Sequence, residues 1–325
     1  MNRKVLLIEP NYRNKYPPMG LMKLATYYRM LGDDVRFYKG DMRSLAVELI
    51  CEDLISHLSV VFPDVFWKDY YPILFSFIKL GKYAILENDD IFSDELILEI
   101  VKEYRKKYKE KEYFAKPRFD KVGITTLFTF YWDITIDTIN FAKQLCKNEV
   151  DVMVGGIMSS ILPDEIYKAT GIHPFVGLLN HPGDIDSGNE LIIDELPLDY
   201  SILEEIDYVY PANNAYFAYM TRGCVNRCKF CAVPKLEPQY CDYIELQKRI
   251  EHTNNRFGAR KDLLLLDNNV LASKYYDQII DEIKACGFGV GAKYTKSPLI
   301  ICGILIMSER ILEKLSVSTK RLLIN

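Results

Sequence analysis

The sequence predicts an α/β protein whose N-terminal part is a doubly wound parallel sheet carrying a helical insertion. Three observations lead there. Up to about residue 180, short apolar runs closed by Pro or Gly alternate with segments of helical period, the pattern of strand–helix–strand units. Between about residues 44 and 116 that alternation stops and the chain reads as helix alone. Hydrophobic residues make up 49% and aromatic residues 13% of the 325, enough for a core and too many for a disordered chain. By length alone there is room for about two domains.

KVLLIEP (Lys4 to Pro10) is an apolar run closed by Pro, which predicts a buried strand. A loop rich in Pro and Asn follows. Leu21, Leu24, Ala25, Tyr28 and Leu31 then recur at helical spacing, with Gly32 as the stop. DDVRFYKG supplies the next strand, so the first 40 residues form a βαβ unit with parallel pairing. LAVELICEDLISHLSVVF, YYPILFSFIKLGKY and DELILEIVKEYRKKYKEKEY are the helices of the insertion, which is expected to cover some other surface. The charge run from Lys102 to Glu112 is mixed in sign and reads as a solvated helix face.

Strands resume at Lys121 to Phe128 and at Val150 to Gly156, with a helix from Trp132 to Lys147 between them. Leu162 to Gly171 reads as a helix and His173 to Leu179 as a further strand. In such a sheet, ligands bind beyond the carboxyl ends of the strands. Residues 183–204 are rich in Gly, Pro, Asp and Asn, the composition of a connector between domains 1–182 and 205–325.

A net charge of −4 gives no electrostatic reason to expect nucleic acid as a partner. The N-terminal apolar run is four residues long, and the run from Leu299 to Met307 is nine; neither predicts a secretory signal or a membrane span. A cytoplasmic, reducing compartment is the resulting expectation, which argues against a disulfide scaffold.

Eight cysteines are present, and Cys224, Cys228 and Cys231 stand together in TRGCVNRCKFCAVP. NAYFAYMTRG reads as a strand leading straight into them, so they sit in a loop at its carboxyl end. Structural zinc sites usually take four protein ligands, often as paired CxxC units about a dozen residues apart. Here the spacing is CxxxCxxC without a second pair; Cys241 and His252 follow at irregular distances. Three thiolates suit a 4Fe–4S cluster with one iron left open to a small molecule. Cys51, Cys146, Cys286 and Cys302 lie in apolar contexts and read as buried thiols.

With Phe230 before the third cysteine, the segment resembles the CxxxCxΦC signature of the radical S-adenosylmethionine (SAM) superfamily. YPPMGLMKLATYYRMLGDDV and the later DVMVGG are similar to the cobalamin-binding-type Rossmann domain that precedes many such enzymes. The resemblance implies a Rossmann-like domain followed by a partial (βα) barrel of radical SAM type. It places a 4Fe–4S cluster on Cys224, Cys228 and Cys231, with Phe230 near the adenine of SAM. Pro17, Pro18, Gly20, Gly155 and Gly156 would line a nucleotide pocket, or else merely start a helix and make a turn. Cobalamin is allowed but not required: the family's Asp-x-His-x-x-Gly is absent, because none of His57, His173, His181 and His252 has Asp two places before it.

YIELQKRIEHT would be the first helix after the cluster loop, and KDLLLLDNNV the second strand of the barrel. In the family, polar residues at that strand's end meet the methionine amino group of SAM. By position Asp267 or Asn268 takes the role, although an Asx turn explains the same residues. YYDQIIDEIKACG is the next helix, with Ile279, Ile280 and Ile283 inward. The 38 residues from Phe288 hold about one further strand–helix unit, so the barrel is expected to be incomplete. The implied activity is reductive cleavage of SAM to a 5′-deoxyadenosyl radical, which takes hydrogen from an unknown substrate, or starts methyl transfer if cobalamin is bound. An electron donor such as a flavodoxin or ferredoxin would be a partner. The alternatives are a non-catalytic cluster-binding scaffold, or half of a complex, and a zinc-binding module. No cysteine trio in the N-terminal half suggests a methylthiotransferase.

Overall fold

Val5, Leu6, Leu7 and Ile8 are all buried, which requires a strand covered on both faces. In the computed structural model, which describes residues 2–87 and 89–288, that strand is β1 (Lys4–Pro10). It is followed by α1 (Met19–Met30), β2 (Asp34–Gly40), α2 (Met42–Val61), α3 (Tyr71–Leu80), α4 (Glu95–Lys109) and α5 (Glu112–Ala115). Then come β3 (Lys121–Thr126), α6 (Trp132–Ala142), β4 (Val152–Gly156), α7 (Ile157–Ile161) and α8 (Pro163–Thr170). The last described elements are β5 (Ala215–Ala218), α9 (Val233–Leu236), α10 (Gln247–Phe257), β6 (Asp262–Leu265) and α11 (Tyr276–Ala285). The expected final strand–helix unit and Cys302 lie outside the described residues.

The first four strands form one parallel sheet in the order β2-β1-β3-β4, so the winding reverses between β1 and β3. Alternation along β1 sends Val5 and Leu7 to one side and Leu6 and Ile8 to the other. Leu6 and Ile8 join a core with α2, α3, α4 and α6, so the insertion covers that face of the sheet. Asp94 accepts from the backbone N–H of Leu96 and Ile97, capping α4 where its apolar stripe begins.

Val5 and Leu7 pack on α1, whose Leu21, Met22, Ala25, Tyr27 and Tyr28 are buried. The same core includes Ala215 and Phe217 of β5 and Leu264 of β6. α1 is therefore enclosed between two sheets, which explains why its burial runs around the helix. β5 and β6 form the second, two-stranded parallel sheet, with Ala215 opposite Asp262 and Ala218 opposite Leu265. Its other face carries Tyr216, Ala218, Leu263 and Leu265 against Ile250 of α10 and Ile279 and Ile283 of α11.

Two expectations need adjustment. His173 to Leu179 forms no strand. Phe175 N–H donates to Val154 O at 2.7 Å, but Pro174 has no N–H, and Gly177 N–H donates to Ser160 Oγ instead of a ladder. Residues 183–204, polar in composition, are packed: Ile193, Leu198, Tyr200 and Ile202 are buried against α1 and β5. Phe217 N–H on β5 donates to Tyr200 Oη at 3.1 Å, so this segment satisfies part of the strand's outer edge. No helix among the described residues is long and apolar enough to cross a membrane.

Candidate functional site

β5 ends at Ala218 and the chain reaches Cys224 six residues later, beyond the carboxyl end of the parallel pair. Cys224 and Cys231 are half-buried, and Cys228 is exposed. Cys231 N–H donates to Cys228 O at 3.0 Å, closing a tight turn between the second and third cysteines. Cys224 Sγ accepts from Asn226 N–H and from Asn269 Nδ2, both at 3.4 Å. Two N–H donors thus converge on one sulfur. Phe230 is 92% exposed, an apolar ring presented beside the cysteines with no cover of its own. Among the described residues no three His, Cys, Asp or Glu side chains converge so as to hold a single metal ion. In a cluster each thiolate meets a different iron, so the donor set need not converge on one point.

Of the two residues expected to meet an amino group, Asp267 is turned to the backbone. It is 1% exposed and accepts from Met220 N–H, Thr221 N–H and Thr221 Oγ1, the last at 2.7 Å. Its carboxylate thus ties the end of β5 to the end of β6. Burial raises its pKa against the opposing pull of these bonds. Asn268 is half-buried and donates from Nδ2 to Glu237 Oε2 at 2.8 Å. A carboxylate can only accept, which fixes the amide and leaves Asn268 Oδ1 as the acceptor facing away.

Glu237 is a hub. Besides Asn268 it accepts from Gly223 N–H at 2.6 Å and lies 3.4 Å from Arg222 Nη1. Gly223 sits at φ +69°, and a Cβ there would come within 2.4 Å of Gln239 O, so this position needs glycine. Arg222 pairs across a backbone bridge with Cys241, whose thiol is exposed and faces Tyr243 O. The Arg222 guanidinium also reaches Asp194 at 3.3 Å, and Asp194 in turn holds Lys23 of α1 at 2.7 Å. A chain of charges therefore runs from α1 through Asp194, Arg222 and Glu237 to the cysteine loop. Burial alone would raise the Asp194 carboxyl, but Lys23 and Arg222 outweigh it and hold it below its ordinary value. Burial, helped by Arg222 and Arg249, pushes Lys23 down to about 8 in spite of Asp194.

The residues expected to line a nucleotide pocket lie along the carboxyl edge of the first sheet. Gly155 has nothing within 4 Å of a Cβ position, and neither does Gly20, which is exposed in the first turn of α1. Pro17 is buried and Pro18 half-buried just before that turn. Gly156 differs: at φ +114° its Cβ would fall 2.3 Å from Thr126 O, so close packing of β4 on β3 demands it. The same edge at β1 and β2 is filled by the chain itself. Lys39 Nζ lies buried with Glu9 Oε2 at 2.8 Å, Asn14 Oδ1 at 2.8 Å and the ring of Tyr208 at 4.5 Å, and Tyr210 also donates to Glu9. None of the four histidines serves this edge: His57 packs on Tyr104, His173 stacks on Tyr167, His181 lies beside Asp184, and His252 is on α10. The cysteine loop nonetheless approaches β4, because Lys235 of α9 donates to Ile161 O of α7 at 2.7 Å.

Glu237, Asn269, Asp194 and Lys23 went unnoticed as site residues in the sequence. Asn269 carried a faint signal as the third polar residue of DNN; Lys23 sits on a helix pattern where nothing marks it. Cys51 and Cys146 are buried and Cys286 half-buried, and burial raises all three thiols, Cys51 to about 12.

No family model matches the chain, and no curated relative matches it. Among solved structures, one of the radical S-adenosylmethionine methyltransferase TsrM from Kitasatospora setae, with tryptophan substrate and a SAM analogue bound, aligns at 15% identity and a TM-score of 0.46. The alignment covers 88% of this chain and 51% of that one. A second structure of TsrM, with cobalamin and a 4Fe–4S cluster bound, aligns at 16% identity and a TM-score of 0.45, covering 88% and 53%. The chain spans about half the length of the structures it resembles.

Proposed function

We propose that this chain is a radical SAM-type protein that binds a 4Fe–4S cluster through Cys224, Cys228 and Cys231 and SAM at the open iron. The observation that carries this reading is the cysteine loop itself. Three free thiols stand at the carboxyl end of a parallel strand pair, and the first sulfur receives two N–H donors. On this reading residues 1–182 are a Rossmann-like domain, 183–204 a packed connecting segment, and 205–325 a radical SAM-type domain.

When bound, the cluster and SAM supply one-electron reductive cleavage of SAM to a 5′-deoxyadenosyl radical. The chain's own residues do the holding. Asn269 and the Asn226 amide donate to Cys224, and Glu237 fixes both the Gly223 turn and the orientation of Asn268. Asn268 Oδ1 then accepts from the amino group of SAM, while Asp267 keeps the two strand ends together. Phe230 covers the adenine face and excludes water from it. Cobalamin is allowed but not required on this reading: the edge at β1 and β2 is occupied by Glu9, Lys39 and Tyr210, whereas Gly20 and Gly155 face open space.

The competing reading is a cluster-binding scaffold without SAM cleavage, or half of a complex; the β5 and β6 pair is the whole of the second sheet among the described residues. Anaerobic reconstitution with iron and sulfide, followed by SAM and dithionite, separates the two. We expect about four irons per chain and 5′-deoxyadenosine that is abolished by Cys228→Ala. A brown protein that makes no deoxyadenosine would leave the scaffold standing, and a colourless one that retains zinc would refute both.

A further inference from the structure

Around Asp194 and Glu237 every buried cation but one has a carboxylate partner. Lys23 and Arg222 share Asp194, and Arg222 also reaches Glu237. On α10, Lys248 is paired with Glu245 at 2.8 Å in solvent. Arg249 is half-buried; Asp194 attracts it from a distance, but among the described residues no carboxylate comes within 4.0 Å of its guanidinium, and burial outweighs that attraction. Leaving a guanidinium partly desolvated and unpaired is costly unless something from outside completes it. Two cations in the first turn of α10 also oppose the helix dipole, which favours acidic residues there.

Arg249 lines a cavity of about 210 Å³ between α1, the 195–200 segment, β5 and α10. The wall also includes Lys23, with one of its three donors left after two bonds to Asp194. His252 lines the cavity too, and its Nε2 is buried without a hydrogen-bond partner. The rest of the wall is mainly apolar, with Met19, Leu198, Phe217, Leu246 and Ile250 prominent, and Glu195 lies at the exposed side. The cations Arg249 and Lys23 on one side and hydrocarbon on the other specify a ligand with an anionic head and an apolar body, and His252 Nε2 adds a donor to that head as its N–H tautomer.

We propose that this cavity binds a small organic carboxylate, its head on Arg249, His252 and Lys23 and its body against Leu198, Phe217 and Ile250. The cavity's lining includes none of the cysteine-loop residues, and the inference holds whether or not that loop carries a cluster.

The test is direct binding to the full chain. Calorimetry with 4-methylpentanoate and 3-phenylpropanoate is compared with their neutral amides and with inorganic phosphate. We expect one carboxylate per chain, with the amides and phosphate at least tenfold weaker. Arg249→Gln should weaken carboxylate binding by about ten- to a hundredfold, the worth of one charge-assisted hydrogen bond. Arg249→Lys should restore part of it. Arg249→Gln removes an unpaired cation, so its thermal midpoint should equal or exceed that of the parent, which shows that lost binding is not lost folding. Failure of both carboxylates to bind, equal binding of the amides or of phosphate, or binding indifferent to Arg249→Gln would each overturn the proposal.

Discussion

The side-chain amide of Asn269 donates to the sulfur of Cys224 at 3.4 Å, joining the end of β6 to the first cysteine across 45 positions of sequence. A hydrogen bond to a cluster sulfur stabilises the reduced, more negative state and so raises the reduction potential. With about 1 kcal/mol for the bond, its loss corresponds to roughly 40 mV in a one-electron couple. If Cys224 ligates a 4Fe–4S cluster, Asn269→Ala should therefore lower the midpoint of the reconstituted protein by that amount in an EPR-monitored redox titration. An unmoved potential would detach Asn269 from the cluster.

Glu237 holds the Gly223 turn, Asn268 and Arg222 together, with its carboxylate largely buried. Glu237→Ala leaves an N–H and part of a guanidinium without their acceptor, at a cost of about 3 kcal/mol. Glu237→Gln keeps an acceptor oxygen and should cost less than half of that. Urea unfolding reads the difference. If Asn268 receives SAM, affinity for SAM should fall in both, because Asn268 loses its fixed orientation.

Gly155 and Gly156 are adjacent, yet they should behave differently. Gly156→Ala forces a methyl to within 2.3 Å of Thr126 O at a backbone angle that side chains avoid, and should destabilise by about 3 kcal/mol or more. Gly155→Ala meets open space and should leave the thermal midpoint unchanged. If a nucleotide-bearing ligand lies against that edge, Gly155→Ala will weaken it without touching stability; unaltered binding would place the ligand elsewhere.

Lys23 has its pKa pushed from an ordinary 10.5 down to about 8. Between those two values the unfolded chain binds the extra proton and the folded chain does not, so this group makes stability rise with pH across the window. Below about pH 8 both states carry the charge, and the full cost of burying it is felt. Lys23→Met should abolish this rise, which amounts to roughly 2–3 kcal/mol between pH 8 and 10.5 at 1.36 kcal/mol per unit. Urea midpoints of the two proteins measured across that range decide it. Parallel curves would mean that Asp194 keeps Lys23 charged throughout.

The first sheet was legible because its strands declare themselves: VLLI in β1 and the runs in β3 and β4 are apolar, and Pro and Gly punctuate the helices between them. The strand read at His173 to Leu179 failed on one residue, Pro174, whose missing N–H local pattern reading passed over. At the site the cysteines stood out, since three in eight residues is rare and their spacing is chemical. The network behind them was not legible. Lys23, Asp194, Arg222 and Glu237 are ordinary surface types that become a chain of charges only when α1 is enclosed between two sheets, and no periodicity announces such an enclosure. Position at a strand's end offered Asp267 or Asn268 as a ligand contact, or an Asx turn; the structure turns the Asp267 carboxylate to Met220 and Thr221.

Asp267 and Asn268 are therefore neighbours with opposite expected phenotypes. Asp267→Ala strips the acceptor from two buried backbone N–H groups and a buried hydroxyl, and should cost about 3–5 kcal/mol. Its effect on the cluster should follow from the loosened strand ends alone, and cooling the assay should restore part of it. Asn268→Ala removes one half-buried amide whose partner Glu237 keeps Gly223 and Arg222, so the stability loss should stay near 1 kcal/mol. If Asn268 Oδ1 receives the amino group of SAM, that same variant should weaken SAM binding about tenfold or more, as the loss of a hydrogen bond to a charged group requires. Equilibrium unfolding and SAM titration on the two proteins give four numbers. A SAM defect confined to Asp267→Ala would reverse the assignment and return the carboxylate to the ligand.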